Sequence, residues 1–186
     1  MRIISGDFKG KKIFLPRDEK TRPLRDLVKE SIFNLLLHSK KFDCSIVDSN
    51  ILDLFSGTGS FGLECISRNS KMVTFFENYS EALNVLKKNI YSLKVDSKCK
   101  IIEKDCFKFF NTEVSFKEKF DVIFMDPPFK EIRINQLINV MLEKKILKDN
   151  GIIIIHRHKN DNINISKKLK ILDQRNYGIS KIIIAN

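Results

Sequence analysis

The sequence has few of the residues that mark fibrous, disulfide-rich or membrane proteins. Seven glycines and four prolines in 186 residues are too few for a collagen-like or low-complexity chain. No apolar run approaches the roughly 18 residues of a membrane helix, and residues 1–5 lack the long apolar core of a signal peptide. We therefore expect a globular protein that remains cytoplasmic and has no membrane partner.

The cysteines and histidines do not form a recognisable metal-binding pattern. The cysteines are scattered, with no Cys-x-x-Cys pair, so the usual zinc spacing is missing and reduced thiols are expected in the cytoplasm. His156 and His158 are two residues apart, but no third ligand is evident. We predict no metal site and interpret residues 156–158 as a basic groove edge or an exposed strand end.

The chain is strongly basic, with 34 lysines and arginines against 23 acidic residues, a net charge of +11 and a pI near 9.5. Such a charge favours polyanions, of which nucleic acid is the commonest. Abundant lysine, isoleucine and asparagine could also reflect a compositional bias, so charge alone leaves the partner open. The length suits one domain with a substantial core.

Two short runs of β-favouring residues predict a basic N-terminal β-hairpin extension over residues 1–20. They flank a turn-rich segment that contains Gly6 and Gly10. This extension could be a solvated edge ribbon or an RNA-contacting appendage. Residues 21–186 would form the main domain, opening with a helix from about residue 21 to residue 37. The candidate RNA contacts are Arg2, Lys9, Lys11, Lys12, Arg22 and Arg25.

From residue 50 onward, apolar runs alternate with amphipathic segments. We predict strands at residues 50–55, 71–76, 99–103, 120–125, 151–155, 170–172 and 181–185, and helices at residues 63–68, 80–92 and 137–147. The run at 120–125 is typical of a strand buried on both faces. The repeated βα units predict an α/β fold with a mostly parallel seven-stranded sheet, helices on both faces and a final antiparallel strand.

A glycine-rich loop follows the first of these strands. Asp53 and Phe55 precede Gly57 and Gly59, and such glycines permit a tight turn and close backbone approach to a ligand. This pattern alone is weak, because many nucleotide-binding sheets share it. A carboxylate here would repel a pyrophosphate but suits a cation such as S-adenosylmethionine. Glu77, at the end of the next strand, is placed to bind ribose hydroxyls.

Two further strand ends carry acids. Asp105 could accept a hydrogen bond from an adenine amine or cap the segment that follows, and we include the adjacent Cys106 in the predicted cofactor site. After residue 125, Asp126 leads into Pro127-Pro128, which must end the strand. Ligands bind at the carboxyl ends of strands in open α/β sheets, so this turn is the predicted reaction centre.

These four strand-end motifs together resemble the Rossmann-like class I S-adenosylmethionine-dependent methyltransferases that methylate amines. The resemblance implies catalytic roles for Asp126-Pro127-Pro128-Phe129. The Asp126 side chain and the Pro127 carbonyl would accept the two hydrogens of an exocyclic amine, and Phe129 would stack on the base. The nitrogen lone pair would then be oriented toward the methyl group.

Nearly the whole chain is similar to the bacterial 16S ribosomal RNA guanine-N2 methyltransferase family (RsmD type). The matching motifs are Arg2-x-Ile4-Ser5-Gly6, Thr21-Arg22-Pro23, Leu52-Asp53-Leu54-Phe55-Ser56-Gly57-Thr58-Gly59 and Arg175-x-Tyr177-Gly178. Leu24 replaces a usual threonine and Leu27 a usual basic residue, and residues 156–158 stand where a glutamate is common. The resemblance implies binding to ribosomal RNA or the small ribosomal subunit. We expect a monomer, since nothing in the sequence suggests an obligate interface.

Other reactions use a similar turn. Adenine-N6 methylation of DNA or RNA is one alternative, although the chain lacks an obvious separate DNA-recognition domain. Protein glutamine methylation is another, but asparagine usually replaces Asp126 there, and a basic surface has no evident role. A non-catalytic basic RNA-binding protein is the third alternative, and it would require no cofactor.

Overall fold

Short apolar runs form the strands of one central sheet in the computed structural model, which describes residues 1–18, 24–112, 116, 118–161 and 165–186. The strands are β1 (Asn50–Leu54), β2 (Met72–Phe76), β3 (Cys99–Ile102), β4 (Phe120–Met125), β5 (Leu147–His158), β6 (Ile171–Tyr177) and β7 (Ser180–Ala185). The helices are α1 (Asp26–His38), α2 (Ser60–Ser67), α3 (Ser80–Leu93), α4 (Cys106–Phe110) and α5 (Ile134–Glu143), with a 3-10 turn at Asp96–Lys98.

The strand order is β3-β2-β1-β4-β5-β7-β6. The first five strands run parallel, whereas β7 pairs antiparallel with both β5 and β6. The chain builds outward from β1 to β3 and then crosses back to place β4 on the other side of β1. The crevice at this change of direction is where doubly wound sheets bind ligands. The predicted fold class is confirmed.

Helices cover both faces of the sheet because alternate strand residues point in opposite directions. Ile51 of β1 belongs to one apolar cluster together with residues of α1, α2 and α3. Its neighbour Leu52 belongs to a second cluster with residues of α4 and α5. The prediction of helices on both faces is confirmed.

Residues 1–13, here called the N-terminal ribbon, fold back on themselves and dock on α2. Arg2 and Lys12 form an antiparallel bridge, and Ile3 and Ile13 are buried in the first apolar cluster. Glu64 of α2 accepts hydrogen bonds from the backbone N–H groups of residues 4 and 5, at 2.7 and 3.0 Å. The ribbon therefore shares the core of the main domain.

Several predicted boundaries differ from the structure. The predicted helix at 137–147 is wrong at its end, because Lys145 adopts a left-handed φ of 51° and Leu147 already begins β5. Helix α4 was missed, since five residues are too few to show helical periodicity. The Thr21-Arg22-Pro23 part of the first predicted helix lies outside the described residues, and α1 begins at Asp26.

All four cysteines are free thiols. Within the described residues, no helix has the length and apolar character needed to cross a membrane.

Candidate active site at the carboxyl ends of the strands

A cavity of about 450 Å³ opens at the carboxyl ends of the central strands, a size in the range of small-molecule sites, about 300–1,000 Å³. Most of the predicted cofactor and catalytic residues line it together: Asp53, Phe55, Gly57, Glu77, Asp105, Cys106, Asp126, Pro127, Pro128 and Phe129. Gly59 lies instead at the N-cap of α2. Residues distant in sequence therefore meet at one crevice.

Asp53 supplies a buried carboxylate whose hydrogen bonding is incomplete. Its Oδ2 accepts a hydrogen bond from the Gly62 N–H at 3.0 Å. Its Oδ1 is buried and has no hydrogen-bond partner among the described residues. A Cβ at Gly62 would lie 2.3 Å from the Phe75 ring, so glycine is what allows α2 to pack this closely on β2. Burial raises the pKa of Asp53 well above 3.8. The hydrogen bond from Gly62 lowers this pKa in part, whereas the nearby charges of Asp126 and Glu77 raise it further.

An unpaired buried carboxylate oxygen is costly unless a ligand completes it. A cationic ligand would supply both a hydrogen-bond donor and a compensating charge at Asp53. S-adenosylmethionine carries an ammonium and a sulfonium group, so the residues present fit that cofactor.

Glu77 is held by the backbone around it. Its two carboxylate oxygens accept N–H bonds from Gly57 at 2.7 Å, Asn78 at 2.9 Å and Tyr79 at 2.8 Å. A carboxylate has about four acceptor sites, so roughly one is left for a ligand. Two ribose hydroxyls that both donate to Glu77 would therefore need a second acceptor site, which one of them would share with a backbone N–H donor. Glu77 also ties the end of β2 to the glycine-rich loop.

Asp105 combines the two roles considered from sequence position. Its Oδ1 caps α4 by accepting a hydrogen bond from the Lys108 N–H at 3.0 Å, and the residue lines the cavity. The neighbouring Cys106 is buried, and burial, with the charge of Asp105, raises the pKa of its thiol to about 12. The thiol is therefore neutral near pH 7 and serves as a small apolar wall.

The 126–129 turn follows β4 directly. The backbone N–H of Asp126 donates to the Leu54 carbonyl of β1 at 3.4 Å. Its side-chain Oδ1 lies 2.7 Å from Nδ1 of His156, whose Nε2 lies 2.8 Å from Oγ of Ser180. The Phe129 ring meets the edges of His156 and His158, with ring centroids 5.8 and 5.3 Å away. Packing and hydrogen bonds thus fix both ends of the turn.

Arg157 holds the backbone beyond the prolines. Its guanidinium donates to the carbonyls of Pro128 at 3.1 Å, Phe129 at 2.8 Å and Glu131 at 3.1 Å. The Nε–H donates to the Asp161 carboxylate. One planar donor group therefore sets the path of the chain after the predicted reaction centre.

The interpretation of residues 156–158 as an exposed strand end is wrong for the first two residues, although His156 does line the cavity. His156 is 5% and Arg157 2% exposed, because β7 pairs along this part of β5, with His156 opposite Ile182. The replacement of the common glutamate at residues 156–158 was the available signal that this part of the site differs from the family. Sequence reasoning also missed Ser180.

The charge of the cavity is opposite to that of the whole chain. Four acidic side chains and two lysine or arginine side chains line it, together with His156: Asp53, Glu77, Asp105, Asp126, Arg25 and Lys104. The chain as a whole carries +11. An acidic cavity inside a basic protein suits a small cation within and a polyanion outside.

The candidate RNA contacts are mostly exposed. Arg2, Lys9, Lys11 and Lys12 are exposed on the N-terminal ribbon, and Arg25 is exposed where it lines the cavity. Arg22 lies outside the described residues.

Comparisons with known proteins cover the chain almost completely. The family described as "Conserved hypothetical protein 95" matches residues 1–186. A Haemophilus influenzae protein named "Ribosomal RNA small subunit methyltransferase D" is 34% identical over 180 residues, 96% of this chain and 90% of that protein. The Escherichia coli protein of the same name is 30% identical over 155 residues, covering 83% of this chain and 73% of that protein.

Solved structures share the fold over the full length. One from Escherichia coli has a TM-score of 0.82 and 26% identity, covering 100% of this chain and 96% of that one. Another from Haemophilus influenzae has a TM-score of 0.78 and 31% identity, covering 100% and 97%. The agreement extends to the N-terminal ribbon, since neither comparison leaves it out.

Proposed function

The chain belongs to the family described as "Conserved hypothetical protein 95", and from this membership and its site we propose that it methylates the N2 amine of a guanine in 16S ribosomal RNA. The relatives named as methyltransferases support this class of enzyme, and the residues of the cavity fit S-adenosylmethionine as its cofactor. The observation that carries the proposal is the Asp53 oxygen that has no hydrogen-bond partner among the described residues, because Asp53 lines one cavity with the Asp126 turn. The relatives named for small-subunit ribosomal RNA support the substrate class.

The cofactor side of the cavity would be formed by the glycine-rich loop and the acids that follow β2 and β3. Bound S-adenosylmethionine supplies a methyl group on a positively charged sulfur. Asp53 would complete its hydrogen bonding with the cationic end of the cofactor, and Glu77 would contact the ribose. Asp105 would contact the adenine amine, while Phe55 and Cys106 supply apolar walls.

The substrate side would be formed by the 126–129 turn. An amine conjugated to a base is a poor nucleophile until its lone pair is localised. The Asp126 carboxylate and the Pro127 carbonyl would accept the two amine hydrogens, and Phe129 would stack on the guanine. The fixed turn then favours transfer by positioning the nitrogen and by electrostatic stabilisation.

RNA would reach this cavity across the basic surface. The N-terminal ribbon lies within the predicted extension at residues 1–20. It carries three exposed lysines, Lys9, Lys11 and Lys12, here called the ribbon lysines. We propose that these lysines, with Arg2, Arg22 and Arg25, contact phosphates, while residues 21–186 hold the catalytic site. We further propose that the protein acts as a monomer in the cytoplasm, where small subunits are assembled.

The test uses the purified protein, S-adenosylmethionine with a labelled methyl group, and small subunits from cells that lack this modification. Digestion of the RNA to nucleosides should give labelled N2-methylguanosine. A sample with Asp126→Ala should bind S-adenosylhomocysteine normally and yield no product. Labelled N6-methyladenosine would replace the proposal with the adenine reaction. Absence of transfer to any ribosomal RNA nucleoside would refute the proposed activity.

A further inference from the structure

We propose that His156 is a positioning residue that fixes the Asp126 carboxylate, so that Oδ2 is left to accept a hydrogen from the substrate amine. This inference rests on the proposed function, because it assigns a task within the same site. It arises from a contact between two residues 30 positions apart in the sequence.

Hydrogen-bond chemistry determines the orientation of the imidazole. An ionised carboxylate only accepts hydrogen bonds, so the 2.7 Å contact with Asp126 requires the hydrogen on Nδ1 of His156. In the neutral ring Nε2 is then an acceptor, and the Ser180 hydroxyl at 2.8 Å can donate to it. Ser180 is 2% exposed, so bulk water does not compete for this bond. Because a hydroxyl can either donate or accept, Asp126 selects the tautomer, and Ser180 completes the hydrogen bonding of the other ring nitrogen.

Asp126 needs such a partner because its terminal torsion is intrinsically loose. Carboxylate rotation about the last side-chain bond has broad minima, whereas acceptance of an amine hydrogen requires a defined direction. The Nδ1–H bond occupies Oδ1 and fixes the plane of the carboxylate. The Phe129 ring packs edge-on against the imidazole, with centroids 5.8 Å apart, and limits movement of the histidine in turn.

Two adjacent residues of β5 hold the two halves of the turn. Consecutive residues of a strand point to opposite faces, so His156 faces the Asp126 side chain while Arg157 reaches the carbonyls beyond it. Both halves of the turn are thus held by adjacent residues of β5. The Asp126 side chain remains 20% exposed toward the cavity, so the substrate can still reach it.

Two amide substitutions separate the two ring nitrogens. The amide of His156→Asn places a donor near the position of Nδ1, whereas that of His156→Gln reaches toward the position of Nε2. The Asn variant should retain most of kcat, and the Gln variant should lose about 100-fold, the scale of a misplaced reacting group. KM for S-adenosylmethionine should be unchanged in both. His38→Gln, an exposed histidine at the end of α1, is the matched control.

Equal losses in the Asn and Gln variants, no loss in either, or a larger loss in Asn would overturn the assignment. Nitrogen NMR of the wild-type imidazole tests it without activity. The Nδ1-protonated tautomer is expected, and Asp126→Ala, which removes its acceptor, should introduce the other tautomer, since the Ser180 hydroxyl can accept from Nε2–H. A wild-type ring protonated on Nε2 alone would refute the inference even in an active enzyme. An inactive wild-type protein with the Nδ1-protonated ring would instead refute the proposed function and leave the contact established.

Discussion

Replacing Asp53 with asparagine should weaken cofactor binding while it stabilises the cofactor-free protein. Asp53 is 1% exposed, and its Oδ1 is among the buried polar atoms that have no partner in the described part of the chain. Asparagine keeps the shape and an oxygen for the Gly62 N–H, but removes the buried charge. A hydrogen bond to a charged group contributes about 1.5–3 kcal/mol, which corresponds to about 10- to 150-fold in affinity.

The stability effect has a defined pH dependence. Because burial raises the pKa of Asp53 well above 3.8, the folded cofactor-free protein keeps a proton that the unfolded chain has already released. The unfolded state binds fewer protons in this range, so the free energy of unfolding falls as pH rises above about 3.8 and levels off above the folded pKa. Asp53→Asn should lack this contribution, and its advantage over wild type should therefore grow with pH.

Titration calorimetry and thermal unfolding measure both effects. S-adenosylhomocysteine keeps the ammonium group, and its binding to wild type should release protons, so the observed enthalpy should depend on the ionisation enthalpy of the buffer. That dependence should be smaller in Asp53→Asn. Asp96→Asn changes an exposed acid outside the cavity and should behave as wild type. Unchanged affinity in Asp53→Asn, or a lower melting temperature than wild type at pH 8, would refute this account of the buried carboxylate.

Three further perturbations test other parts of the structure. Charge reversal of the three ribbon lysines to glutamate should raise KM for RNA and flatten its salt dependence, with affinity for S-adenosylhomocysteine unchanged. Gly6→Ala should destabilise the fold about 1–3 kcal/mol more than Gly10→Ala in urea titrations. Both glycines have positive φ, but a Cβ at Gly6 would lie 1.8 Å from a backbone oxygen, whereas that at Gly10 meets nothing within 4 Å. Arg157→Met should lower the free energy of unfolding by about 3–5 kcal/mol in the same titration, because it breaks a buried ion pair. Arg175→Met, which removes a more exposed arginine, should lower it by under about 1 kcal/mol.

The central part of the fold follows from local sequence signals. Strands such as β1 and β4 are buried apolar runs, and each ends where a glycine-rich loop or two prolines interrupt the pattern. Because parallel strands end at one edge of the sheet, the acids at those ends could be placed in one crevice from order alone. The cavity lined by Asp53 and Asp126 agrees with that reasoning.

The contacts that hold the site could not be read in the same way. His156 reaches Asp126 only because β5 pairs beside β4, and it is buried only because β7 pairs along β5. The docking of the N-terminal ribbon on Glu64 likewise joins residues 60 positions apart. Such contacts depend on tertiary pairing, for which local periodicity carries no information.

The most direct test of the central claim is a comparison of 16S ribosomal RNA nucleosides from cells with and without this gene. Mass spectrometry should show one N2-methylguanosine that disappears with the gene, returns with the wild-type gene and does not return with Asp126→Ala. An unchanged N2-methylguanosine content, or restoration by Asp126→Ala, would contradict the account.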